Sequence, residues 1–171
     1  MPKWNWHAKV AIALTLVGGV IAVLSWLFWP NPTIDPPRER SYLSSTACLL
    51  TDNRGLADEQ AEAAWVGMRE ASLETRIKVQ YLSVSGPQTP ANAAAYFNNL
   101  GLQKCVLIIA VGNAPVAAMK EGSDRFPDSR HVAISPDDIE LPEGITRIRD
   151  TSLETLRSSV RQLVSDAAQS R

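Results

Sequence analysis

Asp52, Arg54 and Asp58 crowd around Gly55 in the run Asp52-Asn53-Arg54-Gly55-Leu56-Ala57-Asp58. Two carboxylates at this spacing can accept hydrogen bonds from a ligand's hydroxyl groups. Either can equally cap a following helix by accepting from its first unpaired N–H groups. A second polar turn, Gly112-Asn113, follows an apolar run later in the chain. Asp52, Asn53, Gly55, Asp58, Gly112 and Asn113 are therefore the candidate ligand-binding residues.

Catalytic chemistry is not expected. His7 precedes a long apolar segment and His131 sits inside a strand pattern, so neither has a nucleophilic partner in view. The chain has no G-x-S-x-G, no phosphate-binding G-x-x-x-x-G-K-[ST] and no G-x-G-x-x-G, so no cofactor is expected. Cys48 and Cys105 are too far apart for a C-x-x-C redox pair, and two thiols alone rarely hold a metal. They read either as a disulfide or as two buried thiols. A formal charge of −1 without a basic stripe argues against nucleic acid as a partner.

The elements that would position these residues alternate. Thr46–Thr51 reads as a buried strand, and residues 57–74 carry Ala57, Ala61, Ala64, Met68 and Ala71 on one helical face. Ile77–Val84 alternates as a strand does. Thr89-Pro90 starts a helix running to Gly101, with threonine as the cap and proline at the first position. Cys105–Val111 is apolar throughout, as a central strand covered on both faces would be. Asn113 is placed to cap a helix over residues 114–122. Strands follow at His131–Ile134 and Ile145–Ile148. Thr151 and Glu154 match a capping box for a last helix whose apolar face is Leu153, Leu156, Val160, Leu163 and Ala167.

Such alternation predicts an α/β fold: one doubly wound, parallel, five-stranded sheet flanked by helices. The commonest strand order, 2-1-3-4-5, makes the first and third strands neighbours and puts ligands outside the carboxyl ends of the strands. A receiver-type phospho-relay would need a carboxylate at the end of the third strand, and Val111-Gly112-Asn113 has none.

The N-terminal part is of another kind. Val10–Trp29 is 20 residues without a formal charge. At about 1.5 Å per residue, such a helix spans a hydrocarbon core of roughly 30 Å. Trp4 and Trp6 flank one end and Trp26 and Trp29 the other, as an aromatic belt does. No small-x-small site follows, which favours an uncleaved transmembrane helix over a cleaved signal. Lys3 and Lys9 place residues 1–9 in the cytoplasm, and therefore the domain outside, in a single-pass cell-membrane topology. Residues 30–43 form a proline-rich stalk, read as a stiff spacer or an unstructured linker. The α/β domain is expected over residues 44–171. Beyond the apolar run lie 15 Lys/Arg and 18 Asp/Glu, a net of −3.

Leu50-Thr51-Asp52, Gly55, Asp58 and Gly67, then Val111-Gly112, Phe126-Pro127 and His131–Ile134, resemble the basic membrane protein (BMP) family. These are substrate-binding lipoproteins of nucleoside-type ABC transporters with the type 1 periplasmic binding-protein fold. The resemblance covers about residues 46–136. It implies a single N-terminal lobe of that fold, carried on a transmembrane helix instead of a lipid. The expected function is an extracytoplasmic substrate-binding or sensing module for a small, nucleoside-type ligand. It could act beside a membrane transporter or sensor protein, or as a homodimer of facing lobes. The alternative is a structural partner-binding domain with a vestigial ligand pocket.

Overall fold

Thr46–Thr51 (β1) and Leu107–Val111 (β3) are buried almost throughout, and their side chains point alternately into two separate cores. The computed structural model describes residues 41–135, 139–149 and 152–170, with Gly19 and Leu24 before them. The apolar segment 10–29 and most of the stalk lie outside the described residues. Among the described residues no helix is long and apolar enough to cross a membrane. The chain divides into two units, Met1–Glu39 and Arg40–Arg171, and the second carries the α/β fold.

Lys78–Ser83 (β2), Arg130–Ile134 (β4) and Ile145–Ile148 (β5) complete a five-stranded sheet, all parallel, in the order β2-β1-β3-β4-β5. This is the predicted order. Glu59–Thr75 (α1) and Leu153–Gln169 (α4) cover one face, where Leu49 and Ile109 meet Met68, Leu156, Val160 and Val164. Pro90–Leu102 (α2) and Asn113–Gly122 (α3) cover the other, where Leu50 and Ile108 meet Phe97, Leu100 and Met119. Two helices per face bury both sides of the central strands, the condition a parallel sheet requires.

Local chemistry sets the helix ends. Asp58 caps α1, its Oδ1 accepting from the N–H groups of Gln60 and Ala61, both at 3.0 Å. Thr89 Oγ1 accepts from Asn92 N at 3.3 Å, with Pro90 opening α2 as expected. Three details differ from the sequence reading. Asn113 is the first residue of α3, and the cap is Gly112, which offers no side chain. Ser152 is the cap of α4 and makes no side-chain hydrogen bond, while Thr151 of the expected Thr151/Glu154 box lies outside the described residues. Leu153 is exposed, Leu163 packs half-buried against the core, and Val164, which the expected face left out, is fully buried.

Helices α1 and α4 lie close together. A Cβ at Gly67 would fall 2.3 Å from the carbonyl oxygen of Arg157, so only glycine permits this approach. Arg157 pairs with Glu70, which holds that carboxyl below its ordinary value, and Arg161 pairs with Glu74 at 2.9 Å.

Cys48 and Cys105 are joined as a disulfide, with 5.9 Å between their Cα atoms and a sequence separation of 57. In the sheet register Cys48 lies opposite Ile108, and Cys105 reaches it from ahead of β3, which begins at Leu107. Lys104 takes a left-handed turn (φ 59°), and Cys105 lies ahead of the strand. Gln80 Nε2 lies 3.3 Å from Cys48 Sγ and donates to Gln103 Oε1 at 2.7 Å, which covers the bridge from the β2 side.

Two outcomes are expected. Gly67→Ala forces α1 off α4 and should cost about 1–3 kcal/mol, as overpacking does, read as a lower urea midpoint at unchanged slope. The double variant Cys48→Ala/Cys105→Ala should lose about 4 kcal/mol by the loop-entropy relation. A loss below about 1 kcal/mol in the same titration would show that the bridge adds little to stability.

Candidate functional site

At the switch point of the sheet, the chain leaves β1 toward α1 on one face and β3 toward α3 on the other. The two loops part there, leaving a cleft of about 330 Å³ outside the carboxyl ends of the strands. Asp52, Arg54, Asp58, Gln88, Gly112 and Asn113 supply most of its wall, with Gln60 at the rim.

Arg54 organises the acidic side. Its backbone N–H donates to Asp52 Oδ1 at 2.9 Å, and its Nε and Nη2 donate to Asp52 Oδ2 at 3.2 Å each. The same Nη2 pairs with Asp58 Oδ2 at 2.5 Å. Both carboxylates are mostly covered, while the Arg54 side chain is 62% exposed. One guanidinium thus holds two carboxylates that would otherwise repel. Each carboxylate thus has three polar contacts, Asp52 all from Arg54 and Asp58 two from the α1 backbone and one from Arg54, which leaves the two with equal room for a ligand.

The facing wall is backbone. Gly112 sits at φ +92°, a conformation L side chains rarely adopt, and a Cβ there would lie 3.5 Å from Asp52 Oδ2. The first turn of α3 begins beside it and presents N–H groups not consumed within the helix. Asn113 Oδ1 accepts from Ser135 Oγ at 3.4 Å, linking the loops after β3 and β4.

Gln88 ties the third loop into place. Its Oε1 accepts from Asn53 N at 3.1 Å, and its Nε2 donates to the carbonyls of Val84 and Gly86 at 3.0 and 2.9 Å. The cleft therefore has a shape fixed before any ligand arrives.

Of the residues predicted from sequence, Asp52, Asp58, Gly112 and Asn113 are brought together. Asn53 and Gly55 lie off the lining: Asn53 contributes its backbone N–H to Gln88, and Gly55 makes the turn at φ +58°. Arg54, Gln60 and Gln88 were not among the predicted site residues. Arg54 carried a signal, since it lies two residues after one carboxylate and four before the other. Gln88 carried none, because it reaches across 35 residues of sequence.

The lining combines carboxylate acceptors, one guanidinium, side-chain amides and helix N–H donors, which suits a small ligand with both donors and acceptors. Among the described residues no cluster of three His, Cys, Asp or Glu could hold a metal ion.

His131 lies away from this cleft, at the amino end of β4. It is 5% exposed, packs 5.7 Å from the Phe97 ring, and its Nε2 has no hydrogen-bond partner among the described residues. Burial lowers its pKa, opposed in part by the charge of Asp124. In the unfolded chain the imidazole takes up a proton near pH 6.5, while in the folded chain it does so only at lower pH. The unfolded state therefore binds more protons as the pH falls through that window, and stability drops with it. His131→Phe is expected to flatten the melting temperature between about pH 7 and pH 5; an unchanged slope in the variant would assign the effect elsewhere.

No family model matches the chain, and no curated protein matches it. Among solved structures it is similar to a fragment of a candidate lipoprotein from Peptoclostridium difficile 630. The two are 18% identical with a TM-score of 0.59, over 72% of this chain and 98% of that one. A transcriptional activator of the comK gene from Bacillus halodurans aligns at 17% identity and a TM-score of 0.47, over 60% of this chain and 33% of that one. Diflavin flavoprotein A3 from Nostoc sp. aligns at 14% and 0.39, over 76% and 94%. At these identities the first similarity is one of fold, and the other two carry no argument.

Proposed function

We propose that the chain is a membrane-anchored, extracytoplasmic binding or sensing module of the BMP kind. In this reading it has no catalytic role and holds a small polar ligand of nucleoside type in the cleft between Asp52 and Gly112. The observation that carries it is the position and chemistry of that cleft. It lies at the switch point of the sheet, and Arg54 holds two carboxylates beside the free N–H groups of α3. Ribose hydroxyls would donate to Asp52, and base or sugar acceptors would take the N–H groups at the start of α3. The anchor rests on the 20 uncharged residues 10–29 and the tryptophans at their ends.

A second reading, a structural partner-binding domain with a vestigial pocket, has its own support. Arg54 already partners both carboxylates, and Asp58 spends one oxygen on the cap of α1. A partner, not a small ligand, would then be the physiological occupant of this end of the sheet. That partner would be a membrane transporter or sensor protein, or a second copy of the chain.

Thermal melting against a nucleoside and metabolite panel separates the two. A ligand present at about a hundred times its Kd adds about 2.7 kcal/mol to the native state, a rise of several degrees. Asp52→Ala should abolish that rise, and because it also removes the three hydrogen bonds from Arg54 it should lower the ligand-free melting temperature by a few degrees. No shift with any nucleoside at millimolar concentration would sink the nucleoside reading and favour the partner-binding one.

A further inference from the structure

Strand β2 is an edge of the sheet, and among the described residues no strand lies beyond it. Its inward groups bond to β1: Lys78 N donates to Ser45 O at 3.1 Å, and Val84 N to Thr51 O at 3.0 Å. By the alternation of a strand, the N–H and C=O groups of Val79, Tyr81 and Ser83 point outward. An unpaired edge is a template for another strand, and proteins commonly blunt it with proline, charge or a bulge. Here the six residues Lys-Val-Gln-Tyr-Leu-Ser hold no proline, and their single charge, Lys78, stands at one end. The other edge, β5, has only four residues and carries Arg147.

The helices flanking this edge are patterned to match it. Helix α2 has no charged residue among its 13, although Ala91, Ala95, Asn99 and Leu102 are exposed. Its side toward β2 is neutral as well: Gln103 meets Gln80, and the Tyr96 hydroxyl lies 3.4 Å from Ser85 O. Depletion of charge together with aromatic side chains marks the core of protein interfaces. On the other face of the sheet, Tyr81 is 47% exposed and packs edge-on against Trp65 of α1, ring centres 5.3 Å apart. Glu62, Trp65 and Arg69 form one stripe along α1 at spacings of three and four, on the side away from α4. Glu62 and Arg69 are exposed, and among the described residues neither makes an ion pair. Acid and base thus stand about equally far from Trp65, one on each side of it.

We infer that a second copy of the chain pairs with this edge, β2 antiparallel to the partner's β2 about a two-fold axis at Tyr81. The outward residues Val79, Tyr81 and Ser83 are symmetric about that axis. Val79 then meets Ser83 of the partner subunit and Tyr81 its own mate, each pair exchanging backbone hydrogen bonds. Paired strands lie about 4.8 Å apart, and α1 lies over β1 and β2. The two α1 helices therefore come within about 10 Å, contact distance for packed helices. Because the axis passes beside Trp65, Glu62 of each copy comes opposite Arg69 of the partner subunit. A self-complementary stripe of this kind is what an isologous interface requires. An unrelated acidic or basic helix would satisfy only one of the two charges. Lys78 falls at the rim of the seam. A face about 20 Å long and three layers deep, about 30 Å, buries about 1,200 Å² in total, the lower bound for specific protein pairs. The clefts, at the carboxyl ends of β1 and β3, stand clear of the seam, so pairing does not depend on what occupies them.

Sedimentation of the full-length chain in detergent, at tens of micromolar, provides the test, and a dimer is expected. Glu62→Arg and Arg69→Glu should each weaken it about tenfold, since each sets like charges against one another twice across the seam. Combining the two should restore the dimer, a rescue that damage to the fold would not give. Tyr81→Cys should form a disulfide-linked dimer on mild oxidation, because the paired Cα atoms lie about 5.5 Å apart. Lys78→Cys, about 20 Å from its mate in this register, should not. The native cysteines are already joined to each other, and all four side chains are exposed, so the domain should fold. A chain that stays monomeric would overturn the pairing. A dimer indifferent to both single charge variants would also overturn it, and so would one in which Lys78→Cys cross-links as readily as Tyr81→Cys. Either result would place the contact elsewhere, the apolar segment 10–29 included, and neither would touch the ligand reading of the cleft.

Discussion

Strands β1 and β3 lie in the middle of a parallel sheet, so every residue along them meets a helix layer on one side or the other. Leu49 and Ile109 face α1 and α4, whereas Cys48, Leu50, Ile108 and Ala110 face α2 and α3. Covering both faces needs at least four helices at this width, and each must sit close enough to exclude water. That requirement reaches well beyond the strands. It explains why Gly67 stands where α1 meets the backbone of α4, and why the helix faces over the sheet are rich in alanine. It also brings Cys105 beneath the sheet to meet Cys48, joining the segment before β3 to the centre of β1.

The same requirement makes the cleft. A sheet wound in both directions from its centre must send the connection after β1 over one face and the connection after β3 over the other. No backbone bridges the space between them. The loops then fill it with short polar groups, since their own N–H and C=O groups need partners. Asp52 meets that need at the Arg54 N–H, and Gln88 meets it at the Asn53 N–H and at the carbonyls of Val84 and Gly86. The rigidity of the site is thus a consequence of satisfying loop backbone, and it would exist whether or not a ligand came to use it.

Features governed by local or periodic rules were legible in the sequence. The apolar runs of β1 and β3, the Thr89-Pro90 start of α2 and the strand order all follow from spacing and turn chemistry. The crowding of Asp52 and Asp58 was legible too, but not the division of labour between them. A carboxylate two residues before a helix's first turn reads the same whether it caps the helix or awaits a ligand. Only the position of the Ala61 N–H assigns Asp58 to the cap. Gln88 was invisible because its partner Asn53 lies in another loop. Cys105 was misplaced by two residues for a related reason. A left-handed turn at Lys104 leaves no mark on hydropathy, so Cys-Val-Leu-Ile-Ile-Ala-Val reads as one continuous strand.

Helix electrostatics orders part of the charge at the two ends of the sheet. Each helix in this fold runs antiparallel to the strands, so helix N-termini gather at the cleft end and C-termini at the other. Acidic groups at the first and cations at the second complement the helix dipoles by a few tenths of a kcal/mol each. Glu59 and Glu62 at the start of α1, Arg76 at its end and Lys120 in the last turn of α3 are accounted for in this way. Lys78 and Arg130 are not, since both belong to strands, whose net dipoles are small. Neither makes up for a helix end, and both remain exposed on the same side of the sheet as Leu102 and Tyr42.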